Sequence, residues 1–335
     1  MEAVTTRIWC EFTSPMDVCK ELILVTLKKY NVILNYKLEY KQADTHFFDM
    51  IKIYNDKDIP ISIWATMRDD MGYWINEKNA QEFDSYIREL IEEIERRQLK
   101  IKGICIDMET PLKDVQRLSN PRSKFDPIIL FGKAVTHNLN KNRYNKAKEI
   151  LKGTCSYIRG KDLESYTTCA RHCYYDLRFN SEIMQNAMEI PVFDIEWDKY
   201  NLMYYATMIR QEFGKIKRVN VDYLIYHQIK HLKKVLKDKL AVSVGVTNIG
   251  KLGNEAYYDS IEEFSKDIGI LKECGVEDFS LFSLDGIMQG NRLEGFLSAM
   301  QSAKPTKPEY CRKVIRNEAL TEFLLKIGNA YYSLF

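Results

Sequence analysis

The sequence predicts a single α/β domain of the (β/α)8 TIM-barrel class with a C-terminal closing helix. Three observations lead there. Eight short apolar, strand-like runs recur along the 335 residues, and segments with apolar residues at three- and four-residue spacing separate them. No run is followed by the G-x-G-x-x-G turn of an open dinucleotide-binding sheet. Strands alternating with helices pair in parallel through right-handed crossovers, and eight of them close a barrel.

In order, the strand-like runs are RIWCEF (7–12), VILNY (32–36), IPISIWATM (59–67), IKGICIDME (101–109), SYTTCA (165–170), YNLMYYATM (200–208), LAVSVGVTN (240–248) and DFSLFSLDG (278–286). Helical spacing runs through MDVCKELILVTLKKY, NAQEFDSYIRELIEEIERRQ, FDPIILFGKAVTHNLNKNRYNKAKEILKG, VDYLIYHQIKHLKKVLKD and SIEEFSKDIGILKECG. Ser14-Pro15 reads as the opening of the first and Gly275 as the stop of the last. The barrel is expected over residues 1–303. Residues 304–335, with Pro305 and Pro308 ahead of a long apolar-spaced run, are expected to form a helical extension packed on it.

Composition narrows the function. A hydrophobic content of 45% suits a chain with a real core. The 49 basic and 47 acidic residues are interspersed and leave a formal charge of +2, so no long-range field favours nucleic acid or an anionic membrane. No basic segment followed by an apolar core opens the chain, and no apolar run approaches the about 18 residues a membrane helix needs. A soluble, cytoplasmic protein with reduced cysteines is expected. Cys169, His172 and Cys173 place three soft ligand atoms within five residues. Without a second cluster at metal spacing they read as packing, and neither a metal nor a cofactor is called for.

Side chains alternate along a strand, so Gly103, Cys105, Asp107 and Glu109 share one face and Ile104, Ile106 and Met108 the other. In a barrel the second set meets the helices and the first faces the axis. LAVSVGVTN divides likewise: Val242, Val244 and Val246 lie outward, with Ala241, Ser243, Gly245 and Thr247 inward. Asp107 and Glu109 fall at the C-terminal end of their strand, where active sites of this fold lie. Their backbones stand about 7 Å apart by the strand rise. In a partly dry pocket they repel, and one is expected to keep a proton near neutrality, as a general acid must.

KGICIDME resembles the fourth-strand signature D-G-x-D-x-D-x-E of the chitinase-like family 18 of glycoside hydrolases. Gly103, Asp107 and Glu109 match, whereas Lys102 and Cys105 stand where the pattern has aspartates. At the end of the sixth run, Met203 and Tyr205 match that family's M-x-Y-D, with Ala206 in place of the aspartate. The resemblance implies a retaining glycosidase in which the substrate's own 2-acetamido group is the nucleophile. Glu109 is then the acid on the glycosidic oxygen, Asp107 the residue that orients the acetamido group, and Tyr205 a neutral donor to the intermediate.

Other residues are candidates for a sugar cleft. Trp64, Trp74, Tyr73, Tyr174, Tyr175 and Trp197 lie at or beyond strand ends, and aromatic faces stack on pyranose rings. Trp74 sits in the polar loop MRDDMGYWINEKN, the kind of loop that carries specificity in this fold. Glu11, Asp176, Asp285 and Met203 complete the expected rim. Two other readings stay open: a carbohydrate-binding barrel without turnover, and a barrel enzyme acting on a phosphorylated metabolite through TNIGKLGNEAY with Lys251. The five histidines show no ligand pattern at strand ends, and His227 and His231 read as a solvated helix face.

Overall fold

The structure is a computed structural model that describes residues 4–114, 140–213, 218–247, 255–288 and 292–332. Eight parallel strands form it: β1 (Thr5–Cys10), β2 (Val32–Glu39), β3 (Ile61–Thr66), β4 (Gly103–Met108), β5 (Glu164–Ala170), β6 (Lys199–Met203), β7 (Leu240–Gly245) and β8 (Asp278–Phe282). They close in sequence order, with β8 paired back onto β1. Each of the eight expected runs overlaps one strand.

Helices surround the barrel: α1 (Glu21–Lys29), α2 (Thr45–Asp56), α3 (Ala80–Arg96), α4 (Lys141–Gly160), α5 (Tyr174–Phe179), α6 (Ile183–Ala187), α7 (Ala206–Phe213), α8 (Arg218–Leu236), α9 (Ile261–Glu273), α10 (Arg292–Ser302) and α11 (Arg312–Tyr332). The reason is patterning: α3 buries Phe83, Ile87, Leu90, Ile91 and Ile94 on one stripe, each worth roughly 1.5–3 kcal/mol over exposure. Caps fix the starts. Asp44 accepts the Phe47 amide ahead of α2, and Ser260 accepts the Glu263 amide ahead of α9. Gly275, at φ 81°, turns the chain after α9.

Several boundaries differ from the sequence reading, three of them with a bearing on the site or on the helices. Ser14-Pro15 begins a turn and α1 starts later, at Glu21, because Ser14 and Asp17 hydrogen-bond each other locally. The sixth run ends as strand at Met203, and Ala206 already opens α7. The third helical pattern survives as α4, while its first part, 125–139, lies outside the described residues.

The two faces of the strands bury against different things. Ile104, Ile106, Met108, Val242 and Val244 join the large core beneath the helices. Trp9, Trp64, Cys105, Tyr166 and Ala241 form a separate cluster on the axis. Gly103 is required there, since a Cβ would stand 2.2 Å from the Glu164 carbonyl oxygen on β5. The N-terminal end of the barrel is plugged by charge. Arg7 donates to Asp278 at 2.8 and 2.9 Å and to Glu164 at 2.7 and 3.1 Å, with its guanidinium 4.3 Å over the Tyr166 ring. Between plug and mouth, Ser243 accepts from Trp9 Nε1 at 3.1 Å and from Asn201 Nδ2 at 2.7 Å.

The C-terminal helix α11 lies against α5 and α8. Its Glu318 accepts from the Tyr175 hydroxyl and from Gln228 Nε2, and Glu322 pairs with Arg178.

Candidate active site

β4 delivers its acids where its inward row reaches the barrel mouth. Asp107 is the last inward residue of the strand and Glu109 follows just beyond it. Asp107 is 6% exposed, and its Oδ1 has no hydrogen-bond partner. Glu109 is half-buried. Burial, followed by the fields of Glu109 and Glu11, holds the Asp107 carboxyl well above its ordinary range. Burial and then Glu11 and Cys169 raise that of Glu109.

Tyr205 comes from the sixth strand's extension. Burial, then the charges of Asp107 and Glu109, push its phenol upward, with the Ser243 hydroxyl offsetting part of the shift. It therefore stays a neutral donor. Its ring lies 5.8 Å from Phe282, and Gly245 makes room for it: a Cβ there would come within 3.1 Å of the ring.

β1 contributes the third acid. Its inward row, Arg7 and Trp9, begins at the plug and continues just past the strand into Glu11 at the mouth. The Glu11 amide donates to Asp285 at 2.9 Å, and its Oε1 accepts from the Tyr73 hydroxyl at 2.5 Å. Tyr73 arrives from the loop after β3. Gly72 and Tyr73, at φ 108° and 63°, reverse the chain, and the loop is stitched to the strands: the Met67 amide donates to the Tyr73 carbonyl at 2.8 Å, and the Ile75 amide to the Asp107 carbonyl at 2.9 Å. The Lys37 ammonium of β2 sits 5.6 Å from the centre of the Tyr73 ring.

The expected site residues thus fall into two groups. Asp107, Glu109, Glu11 and Tyr205 meet at the mouth, and half-buried Met203 ends β6 beside Ala170. The others are placed differently. Trp64 is 2% exposed and packs edge-on to Trp9 at 5.1 Å, so it fills the axis beneath the mouth. Trp74 packs with Tyr73 and Leu112 in a small cluster of its own. Asp176, 1% exposed, accepts from the Ser181 hydroxyl and the amides of Met184 and Gln185. Asp285 accepts from the amides of Glu11, Phe12 and Thr13 and from the Thr13 hydroxyl, closing the corner between β1 and β8. These two acids serve the backbone. Trp197 and Tyr174 are core residues, and Tyr175 is turned toward α11.

Tyr73 was legible as a loop aromatic but not as a partner of Glu11, which depends on a reversal far from β1. Lys37 was missed, although it follows Asn35 at inward parity on β2. The Cys173 thiol is pushed up first by its hydrogen bond with Cys169 and then by burial. His172 is held down to about 3 by Arg171 and by burial. Among the described residues no group of three His, Cys, Asp or Glu could hold a metal ion. All eight cysteines are free. No described helix is long and apolar enough to cross a membrane. His137 and residues 248–254, with Lys251, lie outside the described residues.

No protein-family profile and no curated protein matches the chain. Solved structures do resemble it. The glycoside hydrolase domain of PgaB from Bordetella bronchiseptica is 9% identical, with 89% of this chain and 99% of that one covered and a TM-score of 0.54. The chitinase from Rhizomucor miehei is 11% identical over 89% and 99% of the two chains, with a TM-score of 0.51. A family 18 N-acetylglucosaminidase from Paenibacillus barengoltzii is 11% identical over 88% and 99%, with a TM-score of 0.50. At such identities the likeness is one of fold: this chain is a barrel of the kind on which these glycoside hydrolases are built.

The raised carboxyls carry a stability consequence. The folded state keeps protons on Asp107 and Glu109 that the unfolded chain releases above the ordinary values of 3.8 and 4.5. The unfolded state then binds fewer protons, so stability falls as pH rises through that range. Asp107→Asn removes part of the penalty. It is expected to melt above the wild type at neutral pH, with the difference shrinking on acidification and vanishing once the pH lies well below the ordinary aspartate value of 3.8. Thermal melts across that range check it.

Proposed function

We propose that this chain cleaves or transfers a glycosidic bond of a 2-acetamido sugar by a retaining, substrate-assisted mechanism. One observation supports this above the others: a buried Asp107 with an unpartnered oxygen lies beside a half-buried, proton-retaining Glu109 and the Tyr205 phenol at the C-terminal mouth of a closed barrel. Glu109 gives its proton to the glycosidic oxygen as the bond to the anomeric carbon breaks. The acetamido carbonyl oxygen attacks that carbon, and Asp107 accepts a hydrogen bond from the acetamido N–H as positive charge develops on it. The Tyr205 hydroxyl donates to the oxazolinium-like intermediate. Water then opens it, with the ionised Glu109 as base.

A carbohydrate-binding barrel without turnover is the second reading. Cys105 and Ala206, standing where the resembled patterns carry aspartates, favour it. Aryl glycosides with and without a 2-acetamido group separate the two. Hydrolysis of the acetamido compound at least about 100-fold faster than of its 2-hydroxyl counterpart is expected, since only the former carries its own nucleophile. Turnover of neither, with an oligosaccharide still bound, supports the binding reading.

A further inference from the structure

The mouth holds one more acid than the proposed chemistry uses. Glu11 directly follows β1, at the same mouth as the end of β4, and is 5% exposed. Its surroundings favour the ionised carboxylate. The Tyr73 hydroxyl donates to Glu11 Oε1, so the carboxyl is an acceptor in that bond. The Tyr73 phenol is itself pushed upward, by burial first and then by Glu11, and therefore remains a donor. Three amides, from Glu11, Phe12 and Thr13, converge on Asp285 just behind and pin the backbone that carries Glu11.

The chain also accepts local strain to bring Tyr73 there. A tyrosine at φ 63° following a glycine at φ 108° holds a side chain in the left-handed region. The loop is then fastened to Asp107 through Ile75 and to Met67 through Tyr73.

We propose that Glu11, the acceptor of the Tyr73 hydroxyl at the barrel mouth, is the positioning residue whose negative charge acts with burial to keep Glu109 a proton donor. The inference rests on the reading of Glu109 as the acid. Among the described residues, the groups that face Glu11 include Tyr73 from the β3 loop, Asp107 and Glu109 at the end of β4, Tyr205 beyond β6 and Asp285 behind its own backbone. Lys37 of β2 lies over the Tyr73 ring and that of Phe12, 5.6 Å from each centre. An ionised carboxylate among these acids repels a second and a third negative charge, so protons stay on the members that lack the phenol donor. Burial alone protonates an acid without choosing which one. The Tyr73 bond makes the choice: Glu11 gives up its proton, and Glu109, at the open edge, keeps one where a leaving group can take it.

The test is a pH titration of the protonated-carboxyl infrared band assigned to Glu109 by its loss in Glu109→Gln. It is run on the wild type, Glu11→Gln, Glu11→Asp and Tyr73→Phe. Glu11→Gln keeps an oxygen for Tyr73 and removes only the charge. Its Glu109 midpoint is expected to fall by about one pH unit, a tenfold loss of proton affinity. Glu11→Asp should restore it in part, and Tyr73→Phe should lower it less than Glu11→Gln does. An unchanged midpoint in Glu11→Gln that melts like the wild type overturns the proposal, as does a neutral-pH protonated band that disappears in Glu11→Gln while that of Glu109 persists. The titration needs no substrate. A wild type that turns over no aryl glycoside but shows the midpoint shift refutes the glycosidase reading and leaves the role of Glu11 standing.

Discussion

Glu109→Gln is expected to lower kcat on an unactivated 2-acetamido glycoside by about 10²–10⁴-fold, the usual contribution of a positioned general acid. Glutamine fills the same space and can still accept hydrogen bonds, but it has no acidic proton for the departing oxygen. The loss should depend on the leaving group. An aryl glycoside whose phenol departs without protonation loses little in the bond-breaking step, while an alkyl or sugar leaving group bears the full effect. The alkaline limb of the wild-type kcat/KM profile should lie above the ordinary glutamate range of 4.5, following the raised carboxyl, and should vanish from the residual activity of the variant. Leaving-group series measured on both proteins check this. Equal losses across the series would point to a damaged site instead of a missing acid.

The largest expected stability effect lies at the opposite end of the same strands. Arg7 is fully buried and serves Asp278 and Glu164 together. Arg7→Met keeps much of the side-chain volume but leaves these two carboxylates facing the axis, with Lys199 3.7 Å from Asp278 as a remaining cation. Removing one partner of a buried ion pair costs about 3–5 kcal/mol. A loss of that size, read by chemical denaturation, is the expected outcome. Replacing all three members, as Arg7→Met with Asp278→Asn and Glu164→Gln, should recover most of it, because the cost arises from uncompensated charge and not from the absence of the pair. Turnover well below the melting temperature should be unchanged, since the plug and the mouth lie at opposite ends of β1.

How much of this was legible beforehand follows from what repeats and what does not. Strand parity repeats every two residues, so the inward rows of β4 and β7 could be read directly, and Asp107, Glu109 and Gly103 fell where the barrel needs them. Depth along the axis does not show in parity. Trp64 shares its inward face with Thr66, yet strand stagger sets it beneath the mouth against Trp9. Asp176 and Asp285 read as rim acids because an acid near a strand end looks the same whether it meets a ligand or a set of amides. Their amide partners are local turns and a corner that only tertiary structure assembles. Arg7 could have been suspected, since a charge on an axis-facing position near the start of a strand must be paired. The Tyr73–Glu11 bond could not, because it joins a glycine-made reversal to a strand 62 residues earlier.

The most direct test is a crystal structure of the protein with a thiazoline analogue of the cyclised 2-acetamido intermediate. The ligand is expected in the barrel mouth, its ring nitrogen within hydrogen-bond distance of an Asp107 carboxyl oxygen, the Tyr205 hydroxyl on its sulfur side and Glu109 above the anomeric carbon. A ligand seated away from Asp107, or an Asp107 found paired with a lysine or arginine, would contradict it.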